Sequence, residues 1–175
     1  MANSNLIWAV LGLPILGFLL QCFFSYKKVD AKSRKLVGFL AVAPIALAFA
    51  LGVMLTISLA GQDPSQRAVV ETLFSWIKIQ TINIPFEVRI DPLSMTMVLV
   101  ITGIGSLIHL YATGYMAEEK EFSRFFSYLN LFIAFMLVLV LGNNLALLFI
   151  GWEGVGLCSY LLIGFWYKDF ANSRA

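Results

Sequence analysis

Glu153 stands alone as the one charged residue in a run that is otherwise uncharged from Leu145 to Tyr167. A carboxyl held in hydrocarbon costs about 3 kcal/mol or more unless it is paired, hydrated or protonated, and such a group by default marks an ion or proton pathway. A carboxyl that alternates between a dry setting and the neighbourhood of a cation takes up a proton in the first and releases it in the second. At helical spacing its face holds Phe149, Ile150, Gly156, Leu157 and Tyr160, and Gly151, Gly154 and Gly156 leave room for a neighbouring backbone or for water. The bland alternative is a neutral carboxyl that serves only as packing glue. The chain's single histidine, His109, is the second candidate, as a proton relay. It lies late in its apolar run, and its depth differs from that of Glu153 by about 13 Å at helical rise. A relay between them needs water or hydroxyls, with Ser106, Tyr111 and Thr113 available nearby; the plain alternative is a neutral ring bonded to a backbone carbonyl. Other chemistry finds no footing. There is no phosphate-binding loop, no dinucleotide glycine fingerprint and no cysteine cluster for iron–sulfur ligation. Cys22 and Cys158 sit in separate apolar runs and read as inert buried thiols. No cofactor and no metal is expected in this chain.

The elements that must position these residues follow from where charge is absent. Of 175 residues 60% are hydrophobic and 13% charged, with a mean hydropathy of +0.86. Soluble domains carry about 45–50% apolar and about 25% charged residues, so a soluble fold and a disordered chain are both excluded. A net charge of +2 with no basic face argues against a nucleic-acid partner. Five runs are long enough to cross a bilayer of about 30 Å, at about 6–24, 36–60, 92–115, 125–141 and 145–167. Pro14 and Pro44 fall inside the first two, where membrane helices tolerate a kink. The first run has no basic residue before it, so it is not a signal peptide. Lys27, Lys28, Lys32, Arg34 and Lys35 follow it; with Lys120, Arg124, Lys168 and Arg174 they put nine basic residues on one side against three (Arg67, Lys78, Arg89) on the other. The prediction is an all-α membrane protein of five transmembrane helices in a single domain, N-terminus outside and C-terminus inside.

The outer loop, 61–91, reads differently. Asp63-Pro64 could cap a short helix. Ile82, Ile84, Phe86, Val88 and Ile90 alternate with Asn83, Pro85, Glu87, Arg89 and Asp91, a strand period. Paired with 74–80 they predict a small β-hairpin on the outer surface, with Pro85 confined to an edge, acting as a clasp or docking surface. Asp91-Pro92 starts the third span, and Gly142-Asn143-Asn144 makes spans four and five antiparallel neighbours. Asn130, Ser159 and Tyr160 read as interhelical hydrogen-bonding groups, and Trp8, Trp76, Trp152 and Trp166 as packing or interfacial-belt residues.

Three segments together carry a resemblance: Asp91-Pro92-Leu93-Ser94, Ser123-Arg124-Phe125-Phe126, and the continuous Gly151-Trp152-Glu153-Gly154-Val155-Gly156-Leu157-Cys158-Ser159-Tyr160-Leu161-Leu162-Ile163-Gly164. They resemble the subunit L (chain 5) family of NADH–quinone oxidoreductase, respiratory complex I, whose members are antiporter-like. The resemblance implies a proton-translocating module driven by electron transfer in other subunits, where NADH, FMN, iron–sulfur clusters and quinone would reside. The family's carboxylate on the fifth helix falls on Glu153, and the family pairs it with a lysine on a later, broken helix. Nothing within 175 residues supplies that lysine, so the chain is expected to be the N-terminal portion of a longer subunit that needs its remaining helices. Implied partners are the other membrane-arm subunits and the lipid bilayer. A bacterial plasma membrane is the expected location, with the mitochondrial inner membrane as the alternative. Two other readings stay open: a component of a multi-subunit sodium/proton antiporter, and a non-catalytic membrane scaffold.

Overall fold

A computed structural model describes residues 6–25 and 31–167. Five α-helices follow one another: α1 (Leu6–Ser25), α2 (Ala31–Ala60), α3 (Pro92–Tyr115), α4 (Phe122–Leu141) and α5 (Leu145–Ile163), with strands β1 (Val69–Ile79) and β2 (Ile82–Ile90) between α2 and α3. All five helices are long and apolar enough to cross a membrane. Pro14 and Pro44 are accommodated inside α1 and α2. Helix α2 starts ahead of its charge-free run because Arg34 and Lys35 extend a helix as well as apolar residues do. Helix α5 ends at Ile163, where the Gly164 N–H turns back to Tyr160 O, so Glu153 is nearer mid-helix than the uncharged run implied.

Helices α1 to α4 form a bundle in which α1 packs on α2 and α4, and α2 packs on α3; α5 is added outside it, chiefly against α4. Two apolar clusters fill the bundle. One joins Val10, Ile45, Val98 and Leu137 with Val88 and Ile90 of the hairpin. The other, at the opposite end, joins Val37, Ala41, Met116 and Phe126. Between them lie buried polar groups, among them Gln21, His109 and Asn130.

The hairpin is antiparallel, with register shifts between Thr72 and Phe74 and between Ser75 and Ile77. Its first strand spans Val69–Ile79, beginning earlier than the segment 74–80 expected to pair with the alternating one. In a two-stranded sheet both strands are edges, which accommodates Pro85 opposite Ser75, at one of the irregular positions. The tight turn places Gln80 at φ 48°. Asp63-Pro64 leads into a single 3-10 turn, Pro64–Gln66, and the Asp63 side chain makes no capping bond there.

The hairpin is a clasp, held to the turn between α4 and α5. Asn143 donates from its backbone to Glu87 O (3.2 Å) and from Nδ2 to Glu87 Oε1 (2.9 Å). Asn144 Nδ2 donates to Pro85 O at 2.9 Å while its Oδ1 caps α5 by accepting the Leu147 N–H at 3.0 Å. The Trp8 ring of α1 lies 6.3 Å from Phe86, centroid to centroid, on the same hairpin. Lys27, Lys28, Lys168, Arg174 and the side chain of Lys32 lie outside the described residues. Arg34, Lys35, Lys120 and Arg124 belong to the end of the molecule opposite the hairpin.

Candidate functional site

The position of Glu153 is decided by glycine. Helix α5 meets α4 along Leu147, Gly151, Gly154 and Cys158, all buried, spaced to form one stripe. At Gly151 a Cβ would fall 2.5 Å from the Leu139 backbone nitrogen, and at Gly154 it would enter the Phe135 ring. Only hydrogen fits at either place, so the two backbones approach closely, as small residues allow in membrane helices. At 100° per residue Glu153 lies roughly 130° around the helix from this stripe. The carboxyl therefore points away from α4 and is exposed, about 12 Å from the start of α5 and about 15 Å from its end.

Around Glu153 the open face holds Phe149, Trp152, Leu157 and Tyr160, the last 74% exposed. Gly156 also faces outward and a Cβ there would meet nothing, so the three glycines divide into two that seat α5 and one that leaves space beside the carboxyl. Trp152 is exposed at mid-helix rather than at a helix end; Trp166, Trp76 and Trp8 lie near the ends of the bundle. Glu153 makes no hydrogen bond or ion pair among the described residues.

His109 is placed elsewhere. Its ring is fully buried on α3, with the Phe126 ring of α4 at 6.2 Å. Nδ1 lies 2.8 Å from Gly105 O, and since a carbonyl only accepts, Nδ1–H is the donor. Nε2 is buried and has no partner among the described residues. Helix α4 stands between α3 and α5, so His109 and Glu153 are not brought together. Nor do the expected bridging hydroxyls connect them. Ser106 and Thr113 donate to carbonyls of their own helix, Thr102 O (2.6 Å) and Leu110 O (2.7 Å), and Tyr111 faces outward.

Asn130 was expected to bond across helices, but its Nδ2 donates to Phe126 O at 2.9 Å within α4. Its Oδ1 occupies the space that a side chain at Gly17 of α1 would fill. The interhelical amide is instead Gln21, unremarked in the sequence, whose Nε2 reaches from α1 to Val37 O of α2 at 2.8 Å. An amide inside an apolar run is the signal that marks Asn130, and Gln21 carries it equally.

Where the hairpin passes into α3, Asp91 and Ser94 form a reciprocal capping box: Asp91 Oδ1 accepts the Ser94 N–H at 2.8 Å and Ser94 Oγ accepts the Asp91 N–H at 2.9 Å. Partial burial alone would raise the Asp91 carboxyl. The bonds from Ser94 and from Arg89, at 2.9 Å, outweigh it and hold the carboxyl below the ordinary carboxylate value.

The arrangement is that of a multi-pass membrane protein with one ionisable group on an open helix face at mid-depth. Comparison with known proteins makes this specific. The family model for the N-terminus of chain 5 of NADH-ubiquinone oxidoreductase (complex I) matches residues 76–126. The model for the transmembrane region of NADH:quinone oxidoreductase and Mrp antiporters matches residues 142–175, which include Glu153. NADH-quinone oxidoreductase subunit L of Mycobacterium tuberculosis is 46% identical over 99% of this chain, and that of Escherichia coli 43% over 98%. NADH-ubiquinone oxidoreductase chain 5 of Hypocrea jecorina is 34% identical over 95%. The chain belongs to this family and corresponds to its N-terminal portion. It spans 26%, 27% and 23% of those relatives, about a quarter of their length.

Proposed function

We propose that this chain is the N-terminal five-helix portion of the proton-translocating, antiporter-like subunit of an NADH–quinone oxidoreductase, with Glu153 as its intramembrane proton site. The observation that carries the reading is a carboxyl at mid-helix, turned outward by a glycine seam, with no partner among the described residues. Open to lipid, such a group is costly; covered by a helix that brings a cation or water, it becomes a site that can load and release a proton. No Lys or Arg occurs within the other four apolar runs, so the cation comes from further helices of the subunit. His109, with one ring nitrogen unpaired, would assist proton transfer on the far side of α4. Electron transfer from NADH to quinone belongs to other subunits of the membrane-bound complex, which are this chain's partners. In this reading the N-terminus lies outside and the basic end inside a bacterial plasma membrane, an orientation that the nine-against-three split of basic residues supports.

The test is Glu153→Gln in the complete assembled complex, with NADH-driven proton uptake into vesicles as the readout. Uptake per NADH oxidised should fall severalfold while the complex still assembles; unchanged uptake would leave Glu153 a packing residue. The antiporter reading has one observation in its favour, the shared model over 142–175. It predicts sodium-dependent proton exchange without NADH.

A further inference from the structure

A groove lies between α2 and α3 at the end of the bundle opposite the hairpin. Its volume is about 690 Å³, its walls include Phe39, Val42 and Leu110, and Arg34 and Lys35 stand beside Thr113 among its lining residues. The floor exists because Gly38 lets the helices close: a Cβ there would already be 3.3 Å from Thr113 Cγ2. Arg34 donates from Nη1 to Ala117 O, which fixes the guanidinium beside the groove and leaves its other N–H groups for a ligand. Neither Arg34 nor Lys35 forms an ion pair among the described residues. The acidic residues of the following loop, Glu118, Glu119 and Glu121, line a second cavity with Phe165 and Trp166. Elsewhere on α2 and α3, Leu36, Leu107, Tyr111 and Tyr115 are exposed, the two tyrosine rings stacked, as side chains on a lipid-facing surface are.

We infer that this groove binds one anionic phospholipid, its phosphate held by Arg34 and Lys35 and an acyl chain lying along Phe39, Val42 and Leu110. Two cations with no ion pair among the described residues, at the end of an apolar groove, suit an anion that carries its own hydrocarbon. In a membrane the molecule of that description is a charged lipid, and basic pockets between membrane helices take such headgroups. The inference requires only that α2 and α3 are in a bilayer and is independent of whether Glu153 carries protons.

The test places a photo-crosslinker in the groove, Phe39→p-benzoylphenylalanine, in the complete chain within its native assembly. The assembly is reconstituted in phosphatidylcholine vesicles containing one-fifth phosphatidylglycerol. Cross-linking should favour phosphatidylglycerol beyond its share of the bilayer. Each basic side chain at such a site contributes about fivefold. The preference should drop by about that factor in Lys35→Gln, which spares the Arg34–Ala117 bond, and vanish in Arg34→Gln/Lys35→Gln. Glycerol phosphate in the buffer should not compete. A preference unchanged in Lys35→Gln, or one abolished by glycerol phosphate, would overturn the assignment, the second outcome indicating a site for soluble anions.

Discussion

Glu153 and Asp91 show how the same functional group is set in opposite surroundings. Asp91 is anchored by Ser94 and Arg89 at the mouth of α3, whereas Glu153 has no polar partner among the described residues and apolar neighbours on its own helix face. A carboxyl held below its ordinary value stabilises the fold above that value and loses the contribution as pH falls through the lowered one. Protection of the first amides of α3 against hydrogen exchange should therefore weaken on acidification. In Asp91→Ala it should be lower already at neutral pH, by the equivalent of about 1 kcal/mol, and the difference from wild type should shrink in acid. Exchange measured by mass spectrometry across Asp91–Met95 checks this. A difference that persisted undiminished in acid would show that the ionised carboxylate is not what caps the helix.

The α4–α5 pair is set by glycine contact, and its prediction concerns the element. Gly151→Ala puts a methyl against the Leu139 backbone, which cannot rotate away, so α5 must shift; overpacking of this kind costs about 1–3 kcal/mol. Gly154→Ala meets the Phe135 ring at its base and should also destabilise. Gly156→Ala, with open space at its Cβ, should leave thermal stability in detergent unchanged within about 0.5 kcal/mol. Equal effects at all three positions would mean that α5 is not seated by this stripe. Because α5 carries Glu153, the Gly151 substitution should also disturb proton uptake without touching the carboxyl.

For the molecule as a whole, the clasp matters most. The hairpin is local in sequence to α2 and α3, yet Glu87 and Pro85 hold Asn143 and Asn144, more than fifty residues later. Removing these bonds in Asn143→Ala/Asn144→Ala should expose the hairpin before the bundle. Exchange across Glu87–Ile90 should speed by about tenfold, while the centres of α2 and α4 stay protected. The double variant also removes the α5 cap at Asn144 Oδ1, so some fraying at Leu145–Leu147 is expected with it. Undisturbed exchange in β2 would show that the Asn143 backbone bond to Glu87 O and the burial of Val88 and Ile90 suffice to hold the hairpin.

Five long uncharged stretches, one alternating segment with its neighbouring partner and a three-residue turn were enough to specify the helices, the hairpin and the antiparallel pairing of α4 with α5. Periodicity and the absence of charge report directly on what can lie in lipid. Glu153 was visible for the same reason, as a charge where none belongs. The direction in which that carboxyl faces was not visible. It depends on which glycines meet the neighbouring helix, and the local sequence of Gly151, Gly154 and Gly156 treats all three alike. The separation of His109 from Glu153 by α4, the reach of Gln21 to α2 and the grip of Glu87 on Asn143 are also long-range facts. Each arises from packing between segments far apart in the chain, where shape and hydrogen-bond geometry select one arrangement among many that share the same pattern of apolar residues.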